Sequence, residues 1–378
     1  MIRALFVLGT RPEAIKLGPV IRECKLRSNI ETIVCSTGQH KEMLSQALSA
    51  FNITPDIELN LMKNQQKLGE LTARTIAETS KVLAETKPDV VVVHGDTTTA
   101  MSTALAAFYD KIPVMHVEAG LRTFDKHNPF PEELNRVFID QIAVHCMAPT
   151  ELAAQNLRDS GVSEEHIEIT GNTAVDALLY TSEKVKTSAA PSTLPIGLQD
   201  TINSGKRIIT VTGHRRESFG HDFEQICIAL QDIVTEIPDA VVAYPVHLNP
   251  SVQEPVSRIL KNTERVFLFD PLPYPDFIWL LMHSYLVLTD SGGVQEEVPS
   301  LDKPVLVMRK VTERPEGIDV GCAKLVGVQR SSIASGTREL FTNPELYKQM
   351  TDATNPYGDG KASIRIADRL ERIQQTSV

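Results

Sequence analysis

The chain has 378 residues, 42% hydrophobic and 5% aromatic, with a formal net charge of −10 at pH 7. That length suits two domains of ordinary size, and the acidic balance argues against nucleic acid as a main partner. No apolar run approaches bilayer length, and the five cysteines (Cys24, Cys35, Cys146, Cys227, Cys322) show neither CxxC nor zinc spacing, as expected of reduced core thiols.

The opening MIRALFVLGT looks like a short leader but lacks a small-residue cleavage site and runs into a helix-like segment, so it reads as the first core strand. Apolar strands are expected at residues 4–8, 32–35, 90–94, 114–117 and 143–147, with helical patterns between them. A second series follows at 207–211, 241–244, 266–269, 286–289 and 305–308. Runs such as Val90 to Val93 are apolar on both faces, as in parallel strands covered by helices. The alternation predicts an α/β protein with doubly wound parallel sheets. Residues 187–205, rich in Pro, Ser, Thr and Gly, read either as a linker or as a surface loop of the second domain. A last helix is expected over 361–374, after the turn NPYGDG.

Ligands of open α/β sheets bind at the carboxyl ends of the strands. Each such end carries polar residues here. GTRPEAIK, residues 9–16, offers Pro12 and Glu13 for a helix start and Arg11 and Lys16 for an anion. VHGDTTTA sets Asp96 just after a buried strand, either as a reactive carboxylate or as an N-cap. HVEAGLRT brings Glu118 out of a strand into a glycine turn, and NPFPEELNR opens a helix with Glu132 and Glu133. TGHRRES supplies His214, Arg215 and Arg216, and YPVHLNP supplies His247. TDSGGVQEE, residues 289–297, is the most informative stretch. Asp290 and Ser291 are N-cap types, and Gly292 and Gly293 let a phosphate approach their amides. Glu296 and Glu297 lie one turn on, placed to reach sugar hydroxyls. The segment therefore reads as a nucleotide site. A Walker A loop, a GxGxxG after the first strand, a GxSxG elbow and a His/Cys zinc cluster are all missing from the sequence.

Together GTRPEAIK, QHKEML, KPDVVVVHGDTTTA, HVEAGLRT, PEELNR, TGNTAVDAL, TGHRRESFG, YPVHLNP, LTDSGGVQEE, PVLVMR, TERPEG and NPYGDG resemble the non-hydrolysing UDP-N-acetylglucosamine 2-epimerases of bacteria, over residues 9–360. The resemblance implies a GT-B type fold, with two Rossmann-like domains and a cleft between them. The domains expected are 1–170, with the 361–378 helix packing back on it, and a UDP-binding 171–360. It implies interconversion of UDP-N-acetylglucosamine and UDP-N-acetylmannosamine with neither metal nor cofactor. It further implies a homodimer in the cytoplasm, with no membrane or nucleic-acid partner, feeding polysaccharide synthesis. Members eliminate UDP across C1–C2 to give 2-acetamidoglucal, then add it back with protonation from the other face, which calls for more than one proton-transfer group.

Matched motif by motif, the resemblance gives Asp96, Glu118 and Glu132 to the sugar as carboxylates, and His214 to the departing diphosphate, with an acid/base role open to it. Arg11, Lys16 and Arg314 would bind phosphate or sugar. Ser291, Gly292 and Gly293 would cradle the diphosphate, Glu297 would hold the ribose, and Leu272 and Phe277 would face the uracil. Gln39, Glu42, Arg74, Arg215 and His247 fall on or near the second-ligand positions of substrate-activated members. The chain departs from the family pattern at Gly38, Met115, His127-Asn128 and Asp302. The first and third of these bear on the activator site or on the sugar substituents accepted. A GT-B glycosyltransferase using a UDP-sugar, a 2-epimerase of a related 2-acetamido UDP-sugar, a hydrolysing epimerase and a non-catalytic UDP-sugar binder are the competing readings.

Overall fold

The four-valine run is wholly buried, and a strand buried on both faces needs helices on both sides. The computed structural model describes residues 1–38, 41–61 and 66–376, without the side chains of 41–43 and 374–376. It divides into Met1–Ala177 with Tyr357–Val378, and Leu178–Pro356.

The first unit holds β1 (Ile2–Leu8), β2 (Ile30–Ser36), β3 (Ile57–Glu58), β4 (Val90–His94), β5 (Val114–Val117), β6 (His145–Ala148) and β7 (Ile167–Ile169). All pair parallel, in the order β3-β2-β1-β4-β5-β6-β7. The helix Arg11–Lys25 packs against the terminal helix Ala362–Thr376, while Thr98–Tyr109 packs against both Leu68–Thr86 and Glu132–Ile142. The strand order reverses between β1 and β4, so the crevice beyond their carboxyl ends is the expected ligand position.

The second unit repeats the plan with β8 (Arg207–Thr212), β9 (Ala240–Pro245), β10 (Val266–Phe269), β11 (Leu286–Thr289), β12 (Val305–Val307) and β13 (Ala323–Leu325). Their order is β10-β9-β8-β11-β12-β13, again all parallel, and the reversal falls between β8 and β11. One buried cluster includes Val211, Phe223, Ile233, Tyr244 and Leu288. A second includes Leu194, Leu198, Ile208, Trp279 and Leu280. Leu194 and Leu198 come from the 187–205 stretch, which lies within this unit and carries the helix Ile196–Asn203.

Three short strands, β3, β7 and β13, were not expected from the sequence. The strand expected from 143 begins instead at His145, because Ala143 caps the helix Glu132–Ile142. No helix among the described residues is long and apolar enough to cross a membrane.

Candidate active site

In the first unit the site is built on the ends of β1, β4 and β5. Thr10 caps the helix after β1 and shares a capping box with Glu13. Glu13 is a scaffold residue: its carboxylate accepts from the Gly9 and Thr10 amides at 2.9 and 2.7 Å and from the Thr97 hydroxyl at 2.7 Å. That locks the turn after β1 to the turn after β4. Arg11 stands at the start of this helix and is partly exposed.

Lys16, one turn further on, reaches Glu118, with Nζ 2.5 Å from Oε2. His94, the last residue of β4, brings Nε2 to 2.8 Å from the same oxygen, although off the line of a hydrogen bond. The parallel register pairs His94 with Val117, which sets the ring beside the next residue, Glu118. Glu118 itself has φ +66°, a left-handed conformation that costs a non-glycine residue about 1–3 kcal/mol. Burial alone would raise its carboxyl. Lys16 and His94 more than offset that and hold it well below the usual carboxylate range. Glu118 is therefore an anion at neutral pH.

Asp96 is not a helix cap; Thr97 takes that place. The Asp96 carboxylate instead meets Arg136, with Oδ2 2.8 Å from Nη2, and its carbonyl accepts from the Asn135 amide at 2.8 Å. His116 bridges the Asp140 carboxylate, 2.6 Å away, and the Gly95 carbonyl, 2.7 Å away, so it fixes the turn that carries Asp96. Asp140 also holds Arg122 at 2.7 Å. Glu133 is buried and accepts from the Thr123 and Phe124 amides at 3.0 and 2.9 Å. Glu132, beside it at the helix start, is half-buried and makes no side-chain bond or ion pair among the described residues. His94, Arg136 and His116 were missed in the sequence. His94 sat inside the quoted VHGD segment, but nothing in the residue string shows which neighbour its ring meets.

Arg74 of this unit donates to the Leu61 carbonyl at 2.8 Å. Gln39 and the side chain of Glu42 lie outside the described residues.

In the second unit the ends of β8 and β11 meet. Asp290 is completely buried and does not cap the following helix. Its Oδ2 accepts from the backbone amides of His214 and Arg215 at 2.7 and 2.8 Å, so it ties the loop after β8 to the glycine motif. Its Oδ1 is buried without a hydrogen-bond partner. His214 stacks on His247, with centroids 5.1 Å apart. Burial lowers the His214 pKa below the ordinary 6.5, the Asp290 carboxylate opposes this, and His247 and Arg215 add to it. The ring is thus neutral at pH 7. Arg215 is half-buried, and His247 is exposed.

Ser291 is the N-cap residue of the short helix Gly292–Glu297, but its side chain does not cap the helix. Arg314 lies over Gly292, where a Cβ would stand 3.1 Å from its Cζ, whereas a Cβ on Gly293 would meet open space. Arg314 pairs with Glu296 at 2.9 Å and Glu313 at 2.8 Å. Glu296 is therefore bound into the scaffold rather than presented to a sugar. Glu297, nearly buried, has the Tyr274 hydroxyl 3.5 Å from Oε1. Leu272 is buried in the Trp279 cluster, and Phe277 packs half-buried against it.

A family model described as UDP-N-acetylglucosamine 2-epimerase matches residues 22–371. The chain is 50% identical over 370 residues, 98% of each chain, to the UDP-N-acetylglucosamine 2-epimerase of Escherichia coli O157:H7. Among solved structures, it is similar to a Staphylococcus aureus MnaA–UDP co-structure, with 42% identity, TM-score 0.89, and 99% of this chain and 97% of that one covered. It is also similar to the Neisseria meningitidis UDP-GlcNAc 2-epimerase bound to UDP-GlcNAc, with 41% identity, TM-score 0.90, and coverage of 98% and 100%. The two parallel-sheet α/β units are those of this GT-B class of structures. The chain belongs to the UDP-N-acetylglucosamine 2-epimerase family, and so to the isomerases.

Proposed function

We propose that this protein interconverts UDP-N-acetylglucosamine and UDP-N-acetylmannosamine without net hydrolysis, as a homodimeric enzyme of the cytoplasm that supplies a surface-polysaccharide precursor. The observation that carries the reading is the buried, ionised Glu118 on the end of β5, in a chain half identical to a named epimerase along its length. The C2–H of the sugar is not next to a carbonyl, so direct deprotonation is hard. Departure of UDP builds positive charge at C1, and that charge makes the C2 proton removable. The C2–H electrons then form the C1–C2 double bond of 2-acetamidoglucal, the C1–O electrons leave with UDP, and a carboxylate takes the proton. Re-addition of UDP with protonation from the opposite face gives the epimer.

Asp96, Glu118 and Glu132 are the proposed carboxylates at the sugar, with Arg11 and Lys16 beside them for phosphate or sugar. The anionic Glu118 suits stabilisation of charge at C1, and unpaired Glu132 suits proton transfer. In the second unit, Ser291, Gly292, Gly293 and Arg314 are proposed for the diphosphate, His214 for the leaving group, Glu297 for the ribose and Leu272 and Phe277 for the uracil. Arg74, Arg215 and His247, with Gln39 and Glu42, are proposed for an activating second ligand. The domain division proposed remains one sugar-handling and one UDP-binding half.

The test is incubation with UDP-N-acetylglucosamine alone in heavy water, followed by NMR. A second UDP-sugar carrying deuterium at C2 is expected. Product that keeps its original C2 hydrogen defeats the elimination, turnover only with an added acceptor points to a glycosyltransferase, and free N-acetylmannosamine with UDP points to hydrolysis.

A further inference from the structure

Two groups converge on one oxygen of Glu118, and they are unequal. Lys16 Nζ lies 2.5 Å and His94 Nε2 2.8 Å from Oε2, while Oε1 accepts no hydrogen bond from the described residues. The side chains of Lys16, Glu118 and His94 are 12%, 9% and 6% exposed, so water contributes little to holding the anion. A buried carboxylate needs its lone pairs met. A ring nitrogen this close to a carboxylate oxygen is tolerable only if it carries a proton, since two lone pairs would repel. His94 Nε2 is nonetheless a buried atom without an aligned hydrogen bond. Contacts of this kind tighten when a ligand completes the site.

We propose that His94 is a positioning residue of the reaction: as the Nε2–H tautomer it pins Oε2 of Glu118, so that Oε1 is the oxygen left to face the sugar. Lys16 supplies charge to the same atom through a long, flexible side chain. His94 supplies direction, because its ring is rigid and its backbone is fixed in the centre of the sheet, between β1 and β5. Glu118 sits in the turn with φ +66°, and the two contacts on Oε2 stop its carboxylate rotating. Lys16 and His94 are the charged groups that shift Glu118 most. The proposal rests on the reading of Glu118 as a carboxylate of the sugar site.

The experiment compares wild type, Glu118→Gln, His94→Asn and His94→Gln for melting temperature, UDP affinity, KM, and kcat against pH. Asparagine is too short to bring a donor to Oε2; glutamine restores the reach without a charge. His94→Asn is expected to lower kcat at least about tenfold, leave KM and UDP affinity within about twofold, and move the acid limb of kcat to higher pH. His94→Gln is expected to recover most of the rate. Wild-type kcat and acid limb in folded His94→Asn overturns the proposal, as does a His94→Gln no better than His94→Asn. Independently of any variant's folding, [15N]histidine NMR of the wild-type enzyme is expected to show a proton on His94 Nε2, displaced in chemical shift by Glu118→Gln; an unprotonated Nε2 overturns it. Full turnover in Glu118→Gln removes instead the role assigned to Glu118, whatever His94 does.

Discussion

Replacing Lys16 with methionine keeps an unbranched apolar stem and removes the charged ammonium group at its end. Glu118 is then a buried anion with one neighbour, the His94 ring, instead of two. Removing one partner of a buried ion pair costs about 3–5 kcal/mol. The carboxyl can limit that loss by taking up a proton, and this gives the effect a pH signature. In the wild type the Glu118 carboxyl lies below its unfolded value, so its contribution is fully present above about pH 4.3, the ordinary glutamate value. It is lost only as pH falls through the folded value. Between pH 7 and pH 5 this group therefore adds no slope to wild-type stability. In Lys16→Met, burial, the largest influence on Glu118, is no longer offset by the lysine, and the carboxyl moves up. The folded state then binds a proton that the unfolded state does not, and stability rises as pH falls, by at most about 1.4 kcal/mol per pH unit. Urea denaturation at pH 7.0, 6.0 and 5.0 reads both numbers. A deficit of several kcal/mol at pH 7 that shrinks toward pH 5, and that Glu118→Gln in the same chain largely relieves, is expected. A deficit below about 0.5 kcal/mol, or one independent of pH and of Glu118→Gln, refutes the account of this pair.

The other expectations are simpler. Asp96→Asn, Glu118→Gln and Glu132→Gln should each keep UDP affinity by calorimetry and lose turnover; three variants near the wild-type rate would remove the catalytic assignment. Asp290→Asn gives up charge-assisted bonds to two part-buried amides, worth about 1–3 kcal/mol; the second unit should melt about 3–10 °C lower and bind UDP more weakly, and an unchanged melt contradicts the loop-anchor role. Gly293→Ala adds a Cβ that meets no protein atom within 4 Å, so stability should hold while the UDP Kd rises about tenfold if that amide faces phosphate; unchanged affinity argues against the cradle. Leu134 and Phe138 lie on one helix, 56% and 37% exposed, and Phe108 and Tyr109, 53% and 66% exposed, end the helix it packs against. If the proposed homodimer uses this face, Leu134→Glu with Phe138→Glu should shift sedimentation toward monomer, and a dimer of wild-type strength places the interface elsewhere.

The parts of the fold legible in the sequence were those whose burial is symmetric. β4 and β11 are buried along their whole length, so an apolar run marks them without ambiguity. The strands missed, β3, β7 and β13, are all sheet edges of two or three residues. An edge strand has one paired side, and β3 and β7 hold no fully buried residue, so the sequence carries no periodic signal there. The site behaved differently. Strand ends were readable because polar residues stand abruptly after apolar ones, as at Asp96, Glu118 and Asp290. Their partners were not, because pairing between parallel strands is set by register. His94 meets Glu118 only because β4 and β5 align His94 with Val117, and nothing local in either segment encodes that alignment.

The two Glu-Glu pairs show what the fold adds to such a reading. Adjacent residues on a helix point about 100° apart, so both members of a pair cannot serve one ligand. At the helix start after β5, Glu133 turns inward, accepts two amides of the Thr123–Phe124 turn and stands 3.5 Å from Arg136, while Glu132 stays unpaired. After β11, Glu296 turns to Arg314 at 2.9 Å, while the Glu297 carboxylate stands 3.5 Å from the Tyr274 hydroxyl. In the first pair one carboxylate is bound into the scaffold that shapes the loop, and its neighbour is the one proposed to act. Removing the scaffold member should therefore damage the site through its geometry. Glu133→Gln keeps its shape and two acceptor lone pairs, and should lose stability along with activity. Glu132→Gln should lose activity alone. A Glu132→Gln enzyme that melts as low as Glu133→Gln would show that the division of labour drawn from their partners is wrong.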